Sequence, residues 1–124
     1  MREEDLRART KKFAHDCVRM SVGLPQSALG KHIQIQLIRA STSVAANYRA
    51  ASMAQTKAGF IAKLSIVVEE SDESAFWLEF ALDDGLVPAE EAEPLFSEAK
   101  ELTAIFVSSR KTAQRNAGRG EHPR

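Results

Sequence analysis

The chain is poor in the residues that announce chemistry or disulfide scaffolding. One cysteine, Cys17, stands alone in 124 residues, so no intrachain disulfide can form. Flanked by Val18, that cysteine reads as a small buried hydrophobe rather than a reactive thiol. No apolar run approaches the roughly 18 residues that a membrane span requires, and the start Met1-Arg2-Glu3-Glu4-Asp5 is too acidic for a secretory or transit peptide. The expectation is a cytoplasmic protein with no membrane contact. Net charge is also missing: 17 Lys plus Arg balance 17 Asp plus Glu, which removes the generic polyanion attraction of a strongly basic chain. Strand-period alternation is absent throughout.

What is present is helical periodicity in four segments. From about Glu3 to Val22, Leu6, Phe13, Cys17 and Met20, with Leu24 beyond them, keep one face apolar. Gly23-Leu24-Pro25 ends the segment, with Gly23 expected in a left-handed cap. Ser27 is a plausible N-cap for a second helix running to about Met53, with Ile33, Leu37, Ala40, Val44 and Ala51 in one stripe. Ala40, Ser41, Ser43, Ala45, Ala46, Ala50 and Ala51 are small enough to let a neighbouring helix come close.

Thr56 can cap a third helix, in which Phe60, Leu64, Val67, Ser71, Ser74, Leu78 and Ala81 follow a four-three rhythm. A second line, Ile61, Val68, Ala75 and Leu82, widens its apolar face, so this helix must lie between neighbours. Asp84-Gly85 supplies a stop, and Pro88 suits the first turn of a fourth helix carrying Ala92, Leu95, Ala99, Leu102, Phe106, Ser109 and Ala113. The pattern dissolves after Asn116, which predicts a single all-α domain over residues 1–116 and a frayed polar tail over 117–124. Breaks this short make successive helices antiparallel neighbours, giving an up-down-up-down four-helix bundle.

Nothing in this pattern points to an enzyme. His15, His32 and His122 are far apart and none forms the Glu-x-x-His pair of di-iron bundles, so no metal and no cofactor is expected. No glycine-rich phosphate loop follows a strand. The densest polar group, Glu69-Glu70-Ser71-Asp72-Glu73, reads as a solvated face with one or two acids paired to Arg39 or Arg49 across the second and third helices. Asn47 reads as a register-fixing hydrogen-bonding residue and Trp77 as a packing anchor, within the bundle or at a subunit seam.

Charge distribution says more than net charge. Residues 64–101 hold twelve acids against the single Lys100, whereas residues 1–12, 49–63 and 110–124 carry +2, +3 and +4. In an up-down-up-down bundle those three basic stretches share one end. Lys57 near the start of the third helix and Asp83 and Asp84 near its end oppose the helix dipole, so helix-end preferences alone do not account for the polarity. Arg7, Arg9, Lys11, Lys12, Arg49, Lys57, Arg110, Lys111 and Arg115 are therefore candidate contacts to RNA or DNA phosphates. The competing expectation is a protein-binding adaptor or scaffold without nucleic-acid contact.

The stretch Gln36–Val87 resembles the bacterial four-helix bundle protein family, also called 23S ribosomal RNA intervening-sequence proteins. The residues that carry the likeness are Gln36 through Val44, Asn47-Tyr48-Arg49-Ala50-Ala51, Lys57, Phe60 through Leu64, Glu70 through Ser74, Trp77-Leu78-Glu79 and Gly85-Leu86. With the first helix and Leu24-Pro25 the resemblance extends over about residues 6–112. It marks Arg39, Asn47, Tyr48, Glu70, Glu73 and Trp77 as structural motif residues. It implies a four-helix bundle, often a homopentameric ring, in a family without an established biochemical role. Some relatives sit in reading frames inserted in ribosomal RNA genes, and a related accessory protein of diversity-generating retroelements is a basic pentamer that works with a reverse transcriptase and nucleic acid. Gly59 departs from the pattern, standing where relatives commonly carry an acid, so the reciprocal capping box at the start of the third helix is absent.

Overall fold

The computed structural model describes residues 2–120. It contains four helices, α1 (Glu3–Ser21), α2 (Ala28–Ser52), α3 (Lys57–Asp83) and α4 (Ala89–Gly120), with no strand among the described residues. Named contacts fix their relative sense. His32 and Arg39 of α2 meet Trp77 and then Glu73 and Glu70 of α3, and Ser65 and Ser71 of α3 meet Arg110 and Thr103 of α4, so each pair runs antiparallel. The α1–α2 and α1–α4 pairs follow the same rule, Gln34 binding the Ser21 carbonyl near the connecting turn and Arg9 binding Glu98. The result is the up-down-up-down bundle, though its ring is unevenly closed: α1 packs closely on α2 but meets α4 over much less surface.

Most of the residues that the helical rhythm selected form the core, while Phe60, Ile61, Val68, Leu82, Leu95 and Ser109 are only partly buried. Phe13, Cys17, Ile33, Leu37, Val44, Leu64, Val67, Leu78, Leu102 and Phe106 are all buried. Each fully enclosed leucine contributes about 1.5–3 kcal/mol relative to exposure. Small residues are enclosed with them, including Ala40 and Ser41 on α2 and Ser71 and Ser74 on α3. The buried serine and threonine hydroxyls do not go unpaired: Thr10, Ser21, Ser71 and Ser74 each donate to a backbone carbonyl one turn back. Thr103 of α4 reaches Ser71 at 2.9 Å, a polar rivet in the α3–α4 seam.

Local chemistry sets the helix ends. Ser27 and Thr56 cap α2 and α3 by accepting from Gly30 and Gly59 at 3.1 and 3.0 Å. Gly85, at φ 63°, closes α3 in a Schellman arrangement, with Leu86 N–H bonded to Ala81 and Gly85 N–H to Leu82. Pro88 lies just outside α4, where its carbonyl accepts from Glu91 and Ala92.

Two expectations require correction. Gly23 does not take up a left-handed cap; α1 ends through Val22, which keeps right-handed helical angles (φ −61°, ψ −29°), and the turn then tightens as Gly23 and Leu24 bind Met20 and Ser21. The helix does not stop at residue 116, because α4 continues to Gly120 as an extension of turns already nucleated by the long preceding helix. The rest of the expected tail, 121–124, lies outside the described residues, as does His122. Pro94, inside α4, breaks no core contact because it is exposed near the helix start.

Candidate nucleic-acid interface

The start of α1, the α2–α3 turn and the end of α4 converge as the charge pattern requires. Glu3, Leu6, Ser52, Gln55, Lys57, Ser109 and Thr112 together surround an open cavity of about 740 Å³ at that end of the bundle. Around it, the nine candidate cations do not form one patch. Arg7, Lys11 and Arg49 come together with His15 along a groove of about 610 Å³ between α1 and α2, floored by Ala8, Ala45 and Ala46. Among the described residues no carboxylate lines that groove. Lys57 stands apart on the end cavity, and Lys111 and Arg115 are exposed on α4.

Three of the nine are already engaged within the chain. Arg9 departs furthest from expectation: its Nε and Nη2 each lie 2.7 Å from a Glu98 oxygen, and Nη2 also donates to Glu101 at 3.0 Å. The Glu98 hydrogen bond, opposed by burial and helped by Glu101, raises the guanidinium further above its ordinary value. Arg9 thus latches α1 to α4. Lys12 pairs with Asp16 one turn on at 2.6 Å, and Arg110 donates to Ser65 at 3.4 Å. Glu98 and Glu101 were not singled out in the sequence, and only their seven- and ten-residue offsets from Glu91 on an acidic helix hinted at a charged face.

The motif residues form a second polar system on the α2–α3 face. Arg39 binds Glu70 at 3.2 Å and also Glu73, whose hydrogen bond is the largest reason its guanidinium is held above the usual value. Glu70 also accepts from Ser43 at 3.2 Å, and Ser43 Oγ accepts from Asn47 at 2.9 Å. Asn47 therefore acts through Ser43, on its own helix, instead of crossing to α3 itself. Arg49, the alternative partner for these acids, points to the α1–α2 groove. Trp77 is half-buried, donates to Glu73 at 3.2 Å and meets the His32 ring edge-on at 5.3 Å. It also meets Phe76, which remains 51% exposed.

Tyr48 lies at the boundary of the two systems. Its ring packs against Phe106 with centroids 5.1 Å apart, while its edge lines the end cavity. Burial, reinforced by Glu3 and opposed by Arg7, raises the phenol above its ordinary value. Among the described residues no group of three or more His, Cys, Asp and Glu side chains could hold a metal ion. No described helix is long and apolar enough to cross a membrane.

Residues 2–108 match the family model described as 23S rRNA-intervening sequence protein. Among solved structures, a protein of unknown function from the S23 ribosomal protein family of Bacteroides thetaiotaomicron is similar at 28% identity and a TM-score of 0.77, over 90% of this chain and 99% of that one. No curated protein matches.

Proposed function

This chain belongs to the 23S rRNA-intervening sequence protein family, and from that premise we propose that it is a non-enzymatic, self-associating cytoplasmic bundle whose basic end contacts RNA or DNA phosphates. One observation carries the reading: Arg7, Lys11 and Arg49, distant in sequence, line one groove without an opposing carboxylate. Like charges held together repel one another, and a polyanion relieves that repulsion while releasing its own counterions. Lys57 on the end cavity and the exposed Lys111 and Arg115 of α4 add separate positive charges at that end. The family name, drawn from intervening sequences of 23S rRNA, makes RNA the first ligand to test. Like-oriented copies in a ring, about five by family resemblance, would merge these ends into one face.

The test is affinity for a mixed panel of RNA and DNA at rising salt. Binding that weakens steeply with salt, and weakens further in a variant with Arg7, Lys11 and Arg49 all changed to Gln, supports the reading. No binding at low salt refutes it.

A second reading, a scaffold that holds another polypeptide and touches no nucleic acid, is favoured by the apolar side chains left on the surface. Ile35 and Phe76 are 62% and 51% exposed on the outer faces of α2 and α3. A stoichiometric protein partner, free of nucleic acid, would favour it.

A further inference from the structure

We propose that the open cavity at the basic end is a nucleotide site, taking the phosphate of an unpaired nucleotide at the start of α3 and its base against Tyr48 and Phe60. This rests on the nucleic-acid reading above and gives it a ligand chemistry.

The phosphate half follows from how α3 begins. Thr56 Oγ satisfies the Gly59 N–H, and the Phe60 N–H binds the Thr56 carbonyl. The N–H groups of Lys57 and Ala58 have no acceptor inside the helix, as at any helix start. No acid occupies the first turn of α3, so its positive dipole end is uncompensated, and Lys57 adds a full charge on the cavity wall. Glu3 is the only carboxylate on the lining among the described residues; it repels a phosphate and can accept from a base amino group, so the two charges give a bound nucleotide a direction.

The base half follows independently from Tyr48. The residue is 6% exposed, yet its hydroxyl makes no hydrogen bond among the described residues. No fully enclosed side-chain nitrogen or oxygen in the described structure lacks a partner, so this hydroxyl is open to solvent, and Tyr48 lines the cavity. A ring anchored on Phe106 holds that donor in place before any ligand arrives. Phe60 supplies an aromatic wall, and the Gln55 and Asn116 amides offer donors and acceptors for a base edge. The volume, about 740 Å³, falls within the range of ligand pockets, about 300–1,000 Å³.

The experiment titrates the full chain with nucleoside 5′-monophosphates, the corresponding nucleosides and inorganic phosphate, following amide and aromatic NMR signals. The monophosphates should bind at least about tenfold tighter than either half and move the signals of Lys57, Ala58 and Tyr48. Tyr48→Phe, which keeps the packed ring, should weaken the monophosphates about three- to tenfold and leave inorganic phosphate unchanged. Lys57→Gln should weaken both. In a second arm, a single-stranded oligoribonucleotide should outbind a duplex of equal length at the same salt, and Tyr48→Phe should abolish that preference while sparing duplex affinity. Equal binding of inorganic phosphate and monophosphates, or a Tyr48→Phe protein that keeps the single-strand preference, overturns the nucleotide site while the basic-end reading stands. If no RNA binds at low salt, the basic-end reading falls instead, and the mononucleotide titration decides the cavity.

Discussion

Arg9 of α1 grips Glu98 of α4 with two nitrogens, each 2.7 Å from a different carboxylate oxygen. The pair sits where the bundle is least closed, and both side chains are largely sheltered, at 21% and 26% exposure. It makes Arg9 structural in a region where its neighbours Arg7 and Lys11 are free to serve a ligand surface.

Arg9→Gln is expected to lower stability by about 1 kcal/mol, the upper range for a partly exposed pair with two-point geometry. Urea unfolding measures this. Nucleic-acid affinity should stay at the wild-type level, in contrast to Arg7→Gln; an equal loss from both would return Arg9 to the interface.

Arg39 should couple to Glu70 and Glu73 by about 0.5–1 kcal/mol per pair in double-mutant cycles, since the guanidinium they share is half-exposed and water screens it. Glu73→Gln should also shift Trp77 fluorescence, because the indole loses a charged acceptor. A coupling of zero for both pairs would reduce the motif to surface decoration.

Cys17 is fully buried, and burial, with a smaller contribution from Asp16, pushes its thiol well above the ordinary value despite an opposing Ser41 hydrogen bond. The folded chain therefore keeps a proton that the unfolded chain surrenders from about pH 8.5 upward. The resulting stability is fully present below that pH and declines above it, by up to about 1.4 kcal/mol per pH unit. Urea midpoints measured from neutral to about pH 9.5 should fall more steeply for the wild type than for Cys17→Ala.

Gly30 accepts no side chain. A Cβ there would overlap the Pro25 carbonyl oxygen and lie 2.8 Å from its carbon, both rigid backbone atoms. Gly30→Ala should cost about 2–3 kcal/mol, whereas Gly23→Ala, which meets only the Met20 carbonyl at 3.4 Å, should cost far less.

The bundle was legible because its apolar residues recur along each helix, and a periodic stripe needs no partner to be recognised. Leu64, Val67, Leu78 and Ala81 are buried for that reason. Gly85 was legible too, since an Asp-Gly stop carries its own conformational signal. Gly23 misled because the same residue also fits a right-handed turn. The charged end was readable as a segment property, while the partner of each cation was not: Glu98 lies 89 residues from Arg9. Tyr48 shows the limit most clearly. Its motif membership was visible, but its buried ring and free hydroxyl arise only where three distant segments meet.

The helices adhere chiefly to their neighbours in chain order, and the one contact between first and last is slight. Most docking steps therefore close only a short intervening turn, and little chain entropy is lost before each is rewarded. Such a molecule assembles quickly, on the microsecond-to-millisecond scale typical of helical bundles with local contacts, and α1 is the element whose departure disturbs the remaining three least.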